Sequence, residues 1–109
     1  MTPELLWHKI PDASLRSEKF FPRYALRKVV INDRALCLAK TEKGIIAFDD
    51  NCPHGGYSLS KGWCNEKCIT CPQHDIKFDL QTGKSLFNEG YKLRLHPVMQ
   101  NENGLFVAL

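Results

Sequence analysis

Apolar residues in this chain come in short runs broken by turn formers at close intervals. No segment carries ten or more residues of clean helical period, so the pattern predicts β structure throughout. A first strand is expected over 5–10, ended by Pro11 and Asp12. Residues 13–22 are polar and irregular, with Phe20 and Phe21 as expected anchors. The stretch 24–31 is rich in branched residues and stops at Asn32-Asp33, a hairpin signal. Residues 35–40 alternate, with Leu36 and Leu38 on one face and Cys37 on the other. Glu42, Lys43 and Gly44 turn the chain into a strand over 45–48. The segments 92–98 and 105–109 flank a polar 100–104 and read as a closing hairpin. Several short strands with frequent turns point to a small sandwich or barrel.

The 109 residues predict one domain. With 43% hydrophobic and 25% charged residues, whole-chain disorder is excluded. No apolar stretch approaches the ~20 residues of a membrane-spanning helix, so no membrane partner is expected. The first ten residues include Glu4, His8 and Lys9 and lack the pattern of an export signal. Net charge is a mild +3, and only Arg23, Arg27 and Lys28 come near to clustering. No aromatic platform sits among them, so solvated charge is the reading and no nucleic-acid partner is expected. The five cysteines are an odd number. They favour metal or redox chemistry in a reducing, cytoplasmic setting over a disulfide framework.

Residues 51–83 differ from the rest: they hold four of the five Cys, two of the four His, four of the seven Gly and two of the six Pro. The stretch reads as metal-site loops set into a β base. Cys52-Pro53-His54 and Cys71-Pro72-Gln73-His74 form a C-x-H and a C-x2-H pair separated by sixteen residues. Two thiolates and two imidazoles suit one tetrahedral zinc. They equally suit a two-iron, two-sulfide cluster with the thiolates on one iron and the imidazoles on the other. A second zinc set is also available from Cys64, Cys68, Cys71 and His74. Cys64 and Cys68 flank a hairpin tip at 65–67 and read as free thiols rather than a disulfide or a redox switch. Cys37 reads as an inert strand residue.

The two loops resemble those of the Rieske iron–sulfur family. Cys52-Pro53-His54, with Leu59 and Gly62 after it, is similar to the family's first loop; Cys71-Pro72-Gln73-His74, with Phe78-Asp79 and Thr82-Gly83, is similar to its second. The likeness is strong over 48–84 and compatible over the flanking strands. It implies an all-β fold of three small antiparallel sheets with both loops at one tip. It implies a single domain over 1–109 whose cluster-binding part, about 49–84, is inserted in a β base. It implies one [2Fe–2S] cluster, with Cys52 and Cys71 on the inner iron and His54 and His74 on the outer one.

Departures from the family refine the expectation. High-potential members carry Ser and Tyr where this chain has Ile76 and Phe78, and pair two cysteines where it has Tyr57 and Gln73. Lost hydroxyl donors near the cluster favour a lower potential. Asp75 stands where the family commonly has Gly, so a different backbone and a lower potential are expected there. Asp49 and Asp50 are read as shaping the turn into the first loop. Phe48, Trp63 and Phe78 are read as core around the loops, and His8 and His96 as surface or packing residues. Only 26 residues follow Gly83, too few for the catalytic domain of a Rieske oxygenase. The resemblance therefore implies a one-electron carrier between a flavin-containing reductase and a terminal oxygenase or similar acceptor. A small subunit like that of assimilatory nitrite reductase and a structural zinc module are the alternatives.

Overall fold

A computed structural model describes residues 6–11, 13–86 and 90–109. Ten strands occur among them: β1 (Trp7–Ile10), β2 (Leu26–Ile31), β3 (Arg34–Thr41), β4 (Gly44–Asp49), β5 (Trp63–Cys64), β6 (Cys68–Thr70), β7 (Lys77–Asp79), β8 (Leu95–His96), β9 (Val98–Asn101) and β10 (Gly104–Ala108). Single turns of 3-10 helix cover Ala13–Arg16 and Leu59–Lys61. The strands form three antiparallel sheets, ordered β1-β10-β9, β2-β3-β4-β8 and β5-β6-β7. The expected all-β, three-sheet fold is therefore present. Residue 5 of the expected first strand lies outside the described residues.

Local chemistry sets the hairpins. Asn32 and Asp33 both take positive φ, 50° and 64°, closing Ile31 onto Arg34. Asn and Asp tolerate that region, and a tight two-residue hairpin turn needs it. Between β3 and β4, the Thr41 hydroxyl donates to the Gly44 carbonyl at 2.9 Å and accepts the Lys43 N–H at 3.2 Å. Between β9 and β10, Asn101 Oδ1 accepts the Asn103 N–H at 2.8 Å.

The expected strand over 92–98 is broken. β8 pairs with β4, then β9 starts at Val98 in another sheet. Pro97 lies at the break; without an N–H it cannot donate to a ladder, and the chain changes sheets there. Phe20 and Phe21 also divide: Phe21 is fully buried, but Phe20 is 57% exposed, with the Lys19 ammonium 5.5 Å from its ring. The Phe21 N–H donates to the Ser17 carbonyl, and this turn sends the two adjacent rings apart.

Alternation along β3 builds two cores at once. Leu36 and Leu38 enter a base core with Ile10, Leu15, Phe21 and Val107. Cys37 and Ala39 enter a second core with Phe48, Leu59, Ile69 and Phe78. That second core also contains Cys52 and Cys71, so the candidate sulfur donors are part of the packed interior.

Candidate metal centre

The first loop runs from β4 to β5, and Asp50 holds it. Its carboxylate accepts the Ser58 hydroxyl at 2.5 Å, the Ser60 N–H at 2.6 Å and the Ser60 hydroxyl at 2.9 Å. Within the loop, the Cys52 N–H donates to Tyr57 O and the Gly56 N–H to Cys52 O, at 2.8 and 2.7 Å. The second loop repeats the first of these contacts: the Cys71 N–H donates to Ile76 O at 2.8 Å. Each cysteine is thus fixed by a bond to the carbonyl five residues on. The loops meet where Gly55 faces Gln73; a Cβ there would stand 2.7 Å from the Gln73 side-chain oxygen.

The four donors separate by depth. Cys52 and Cys71 are 1% and 0% exposed, whereas His54 and His74 are on the surface. The Cys52 and Cys71 thiols are free and hydrogen-bonded to one another. Burial pushes Cys71 up to about 11; the Gln73 N–H pulls it back, and the Cys52 thiol adds to the rise. The two imidazoles stand 5.9 Å apart, centroid to centroid, at 86°. A pair of buried sulfurs beneath a pair of exposed imidazoles suits a two-iron cluster, in which each iron takes two protein ligands. Among the described residues, no three His, Cys, Asp or Glu side chains gather around a single ion position. The alternative set of Cys64, Cys68, Cys71 and His74 is not brought together. Cys64 instead donates to the Tyr24 carbonyl at 3.4 Å.

All five cysteines are free, those outside the loops included. Burial, then the Glu66 carboxylate, pushes Cys64 up to about 11. Burial also raises Cys37 and Cys68. A raised thiol is a poor nucleophile at neutral pH, which leaves the redox-switch idea without support.

Several neighbours depart from expectation. Phe48 and Phe78 are buried, but Trp63 is 51% exposed. It lies on β5, a two-residue strand at the edge of its sheet. Asp75 does not alter the backbone sign a glycine would favour: His74 and Asp75 both sit at positive φ, 64° and 54°. Asp49 does more than turn the chain. It meets His96 Nε2 at 2.7 Å and Arg34 at 3.3 Å, tying β4 to β8 and β3 beneath the first loop. His96 is a buried packing residue, as expected. Sequence reading missed Tyr91, whose ring lies 5.2 Å from the His54 ring at 79°. Its one sequence signal is an aromatic residue directly after Gly90, in a segment without ligand types.

At the end of β7, Asp79 caps the turn that follows by accepting the Gln81 and Thr82 N–H groups at 2.7 and 2.9 Å. The Thr82 N–H, with that of Gln81, holds its carboxyl below the ordinary Asp value, against a smaller burial effect. A depressed folded-state value means the stabilisation is present above the ordinary Asp value and lost as pH falls through the lowered one. Asp79→Ala is expected to cost ~0.5–1.5 kcal/mol at neutral pH. Urea unfolding at neutral and acid pH should show the gap to the parent protein narrowing in acid.

Comparison with known proteins agrees with this geometry. The Rieske [2Fe-2S] domain model matches residues 13–91. A Ralstonia protein, the ferredoxin component of naphthalene 1,2-dioxygenase/salicylate 5-hydroxylase systems, is 38% identical over 53% of this chain and 56% of its own. The chain thus spans only a little over half the length of that relative. A solved complex of reduced oxygenase and oxidized ferredoxin in carbazole 1,9a-dioxygenase contains a chain that matches with a TM-score of 0.77 and 26% identity, covering 94% of this chain and 92% of that one. A Mycobacterium tuberculosis structure described as an NADH-dependent nitrite reductase small subunit has a TM-score of 0.80 at 16% identity, covering 98% and 97%; it shares the fold. The chain belongs to the Rieske [2Fe–2S] domain family. The family's cofactor is a single two-iron, two-sulfide cluster.

Proposed function

We propose that this chain is a Rieske-type ferredoxin, a one-electron carrier between a flavin-containing reductase and a terminal oxygenase or similar acceptor. The observation that carries the reading is the depth ordering of the donors. Cys52 and Cys71 are closed into the core, and His54 and His74 face solvent. In this reading the cysteines hold the inner iron and the histidines the outer one. The cluster supplies the one-electron chemistry. The chain sets its burial, exposure and docking, and makes or breaks no bond of a substrate. Residues 1–109 act as one domain, with 49–84 as its cluster-binding part. Five free cysteines fit a reducing cytoplasm. Among the described residues no helix is long and apolar enough to cross a membrane.

The test is absorption and low-temperature EPR of anaerobically purified protein before and after dithionite, with iron and sulfide assays. Two irons, two sulfides and a rhombic signal of low average g support the reading. A colourless zinc protein, even after attempted cluster reconstitution, overturns it. A nitrite-reductase-like small subunit is the second reading; the fold is common to both. Stable co-purification with a large partner would select it; a freely exchanging monomer would select the ferredoxin.

Tyr91 gives a spectroscopic prediction. Its half-buried ring packs on the site core and lies against His54. Removing it admits water beside the outer imidazole. Reduction adds one negative charge to the site, so added solvation favours the reduced state. Tyr91→Ala should raise the midpoint potential, and Tyr91→Phe should leave it near that of the parent. Protein-film voltammetry reads both.

A further inference from the structure

The surface around the two imidazoles is electrically lopsided. On the His74 side, the next residue is Asp75, whose side chain is exposed. On the His54 side, Tyr91 lines a hollow of about 410 Å³ together with Lys84, Ser85 and Lys92. A second hollow of about 470 Å³ adjoins it through Lys92 and is lined by Thr82, Leu93, Arg94 and Leu95. Lys84, Lys92 and Arg94 are exposed. None of the three has an acidic partner among the described residues. The nearby carboxylates are engaged elsewhere: Asp79 caps its own turn, and Asp49 holds His96 and Arg34.

The placement of the two lysines is itself informative. Lys84 and Lys92 face one another across an isolated antiparallel bridge. Like charges directly opposite on paired strands destabilise the pair. An external anionic surface would relieve that repulsion. The groove also leads to the site through one ring, because Tyr91 lines it and touches His54.

We infer that a redox partner protein docks an acidic surface onto this groove, on the His54 side of the tip, between Lys84, Lys92 and Arg94. The inference rests on the electron-carrier reading. Charge complementarity would steer the encounter and set which imidazole faces the partner. A small, transient contact of this kind is the usual form of a redox encounter.

The test uses reduced holoprotein in stopped flow with two small oxidants of opposite sign. Each takes one electron from the protein: ferricyanide becomes ferrocyanide, and hexaammineruthenium(III) becomes the ruthenium(II) ion. At low ionic strength, Lys84→Glu/Lys92→Glu should slow the ferricyanide reaction roughly tenfold and speed the ruthenium reaction. Both differences should shrink in high salt, where the Debye length falls to a few ångströms. Lys84→Gln/Lys92→Gln should show the same signs with smaller size. A control of equal charge change, Lys9→Glu/Lys19→Glu, lies away from the loops and should move both rates far less. Glu89 lies outside the described residues and is unchanged in every variant. If the control matches the groove variant, only net charge matters and the docking face is overturned. If the protein holds no reducible cluster, the electron-carrier reading falls and takes the inference with it.

Discussion

Cys71→Ser protein is expected to lose its iron, sulfide and colour, whereas Cys64→Ser/Cys68→Ser protein keeps all three. Cys71 is fully buried beside Cys52, and its N–H is tied to the Ile76 carbonyl at 2.8 Å. A hydroxyl in its place is a harder, poorer ligand for iron than a thiolate. No other thiol is poised to replace it. Cys64 is directed at the Tyr24 carbonyl at 3.4 Å, and Cys68 pairs with Asp79 across the small sheet. The serine hydroxyl would also sit in an apolar core, at a cost of ~1–3 kcal/mol if it finds no partner. Unfolding of cluster-free parent and variant separates that cost from ligand loss. Iron and sulfide assays, read beside circular dichroism, decide the outcome. Loss of the metal from the double variant as well as from Cys71→Ser would move it to the alternative set, which shares Cys71.

What could be read from the sequence was local. Cys52 and His54 lie in one short loop, as do Cys71 and His74, so spacing alone brings each pair together. Asn32-Asp33 announces its hairpin for the same reason, since the required positive φ belongs to those two residues. The failures are contacts made by packing. Tyr91 reaches His54 from a distant segment with no ligand residue in it. Asp49 and His96 meet across 47 positions, a pairing created by the β4–β8 register. Phe20 and Phe21 are chemically identical, and only the turn between the 3-10 segment and β2 decides which is buried. Pro97 carried a visible signal, because proline does not sit in a continuous ladder. It marks the point where one apparent strand becomes two, in different sheets.

Asp50→Ala is expected to destabilise the protein by ~2–4 kcal/mol and to make the cluster labile. Asp50 was legible as a turn former, but its role is larger. The residue is only 7% exposed, and its two oxygens accept from Ser58 and twice from Ser60. Hydrogen bonds to an ionised acceptor are each stronger than neutral ones, at ~1.5–3 kcal/mol. The serines are half-buried, so water recovers part of the loss and the sum is less than three such bonds. Ser58 leads into the Leu59–Lys61 turn and Ser60 lies within it, and Leu59 is packed in the same core as Cys52 and Cys71. Losing the anchor therefore loosens the loop that carries Cys52 and His54. For a domain near this size, the expected cost lowers the melting temperature by roughly 10–25 °C. Asp50→Asn keeps one oxygen for the Ser60 N–H and should lose about half as much. Denaturant unfolding of cluster-free protein measures the fold's share, and the rate of iron release to a chelator measures the site's share. A variant that unfolds like the parent and releases iron at the parent's rate would show that the first loop is held by its core packing, with the carboxylate dispensable.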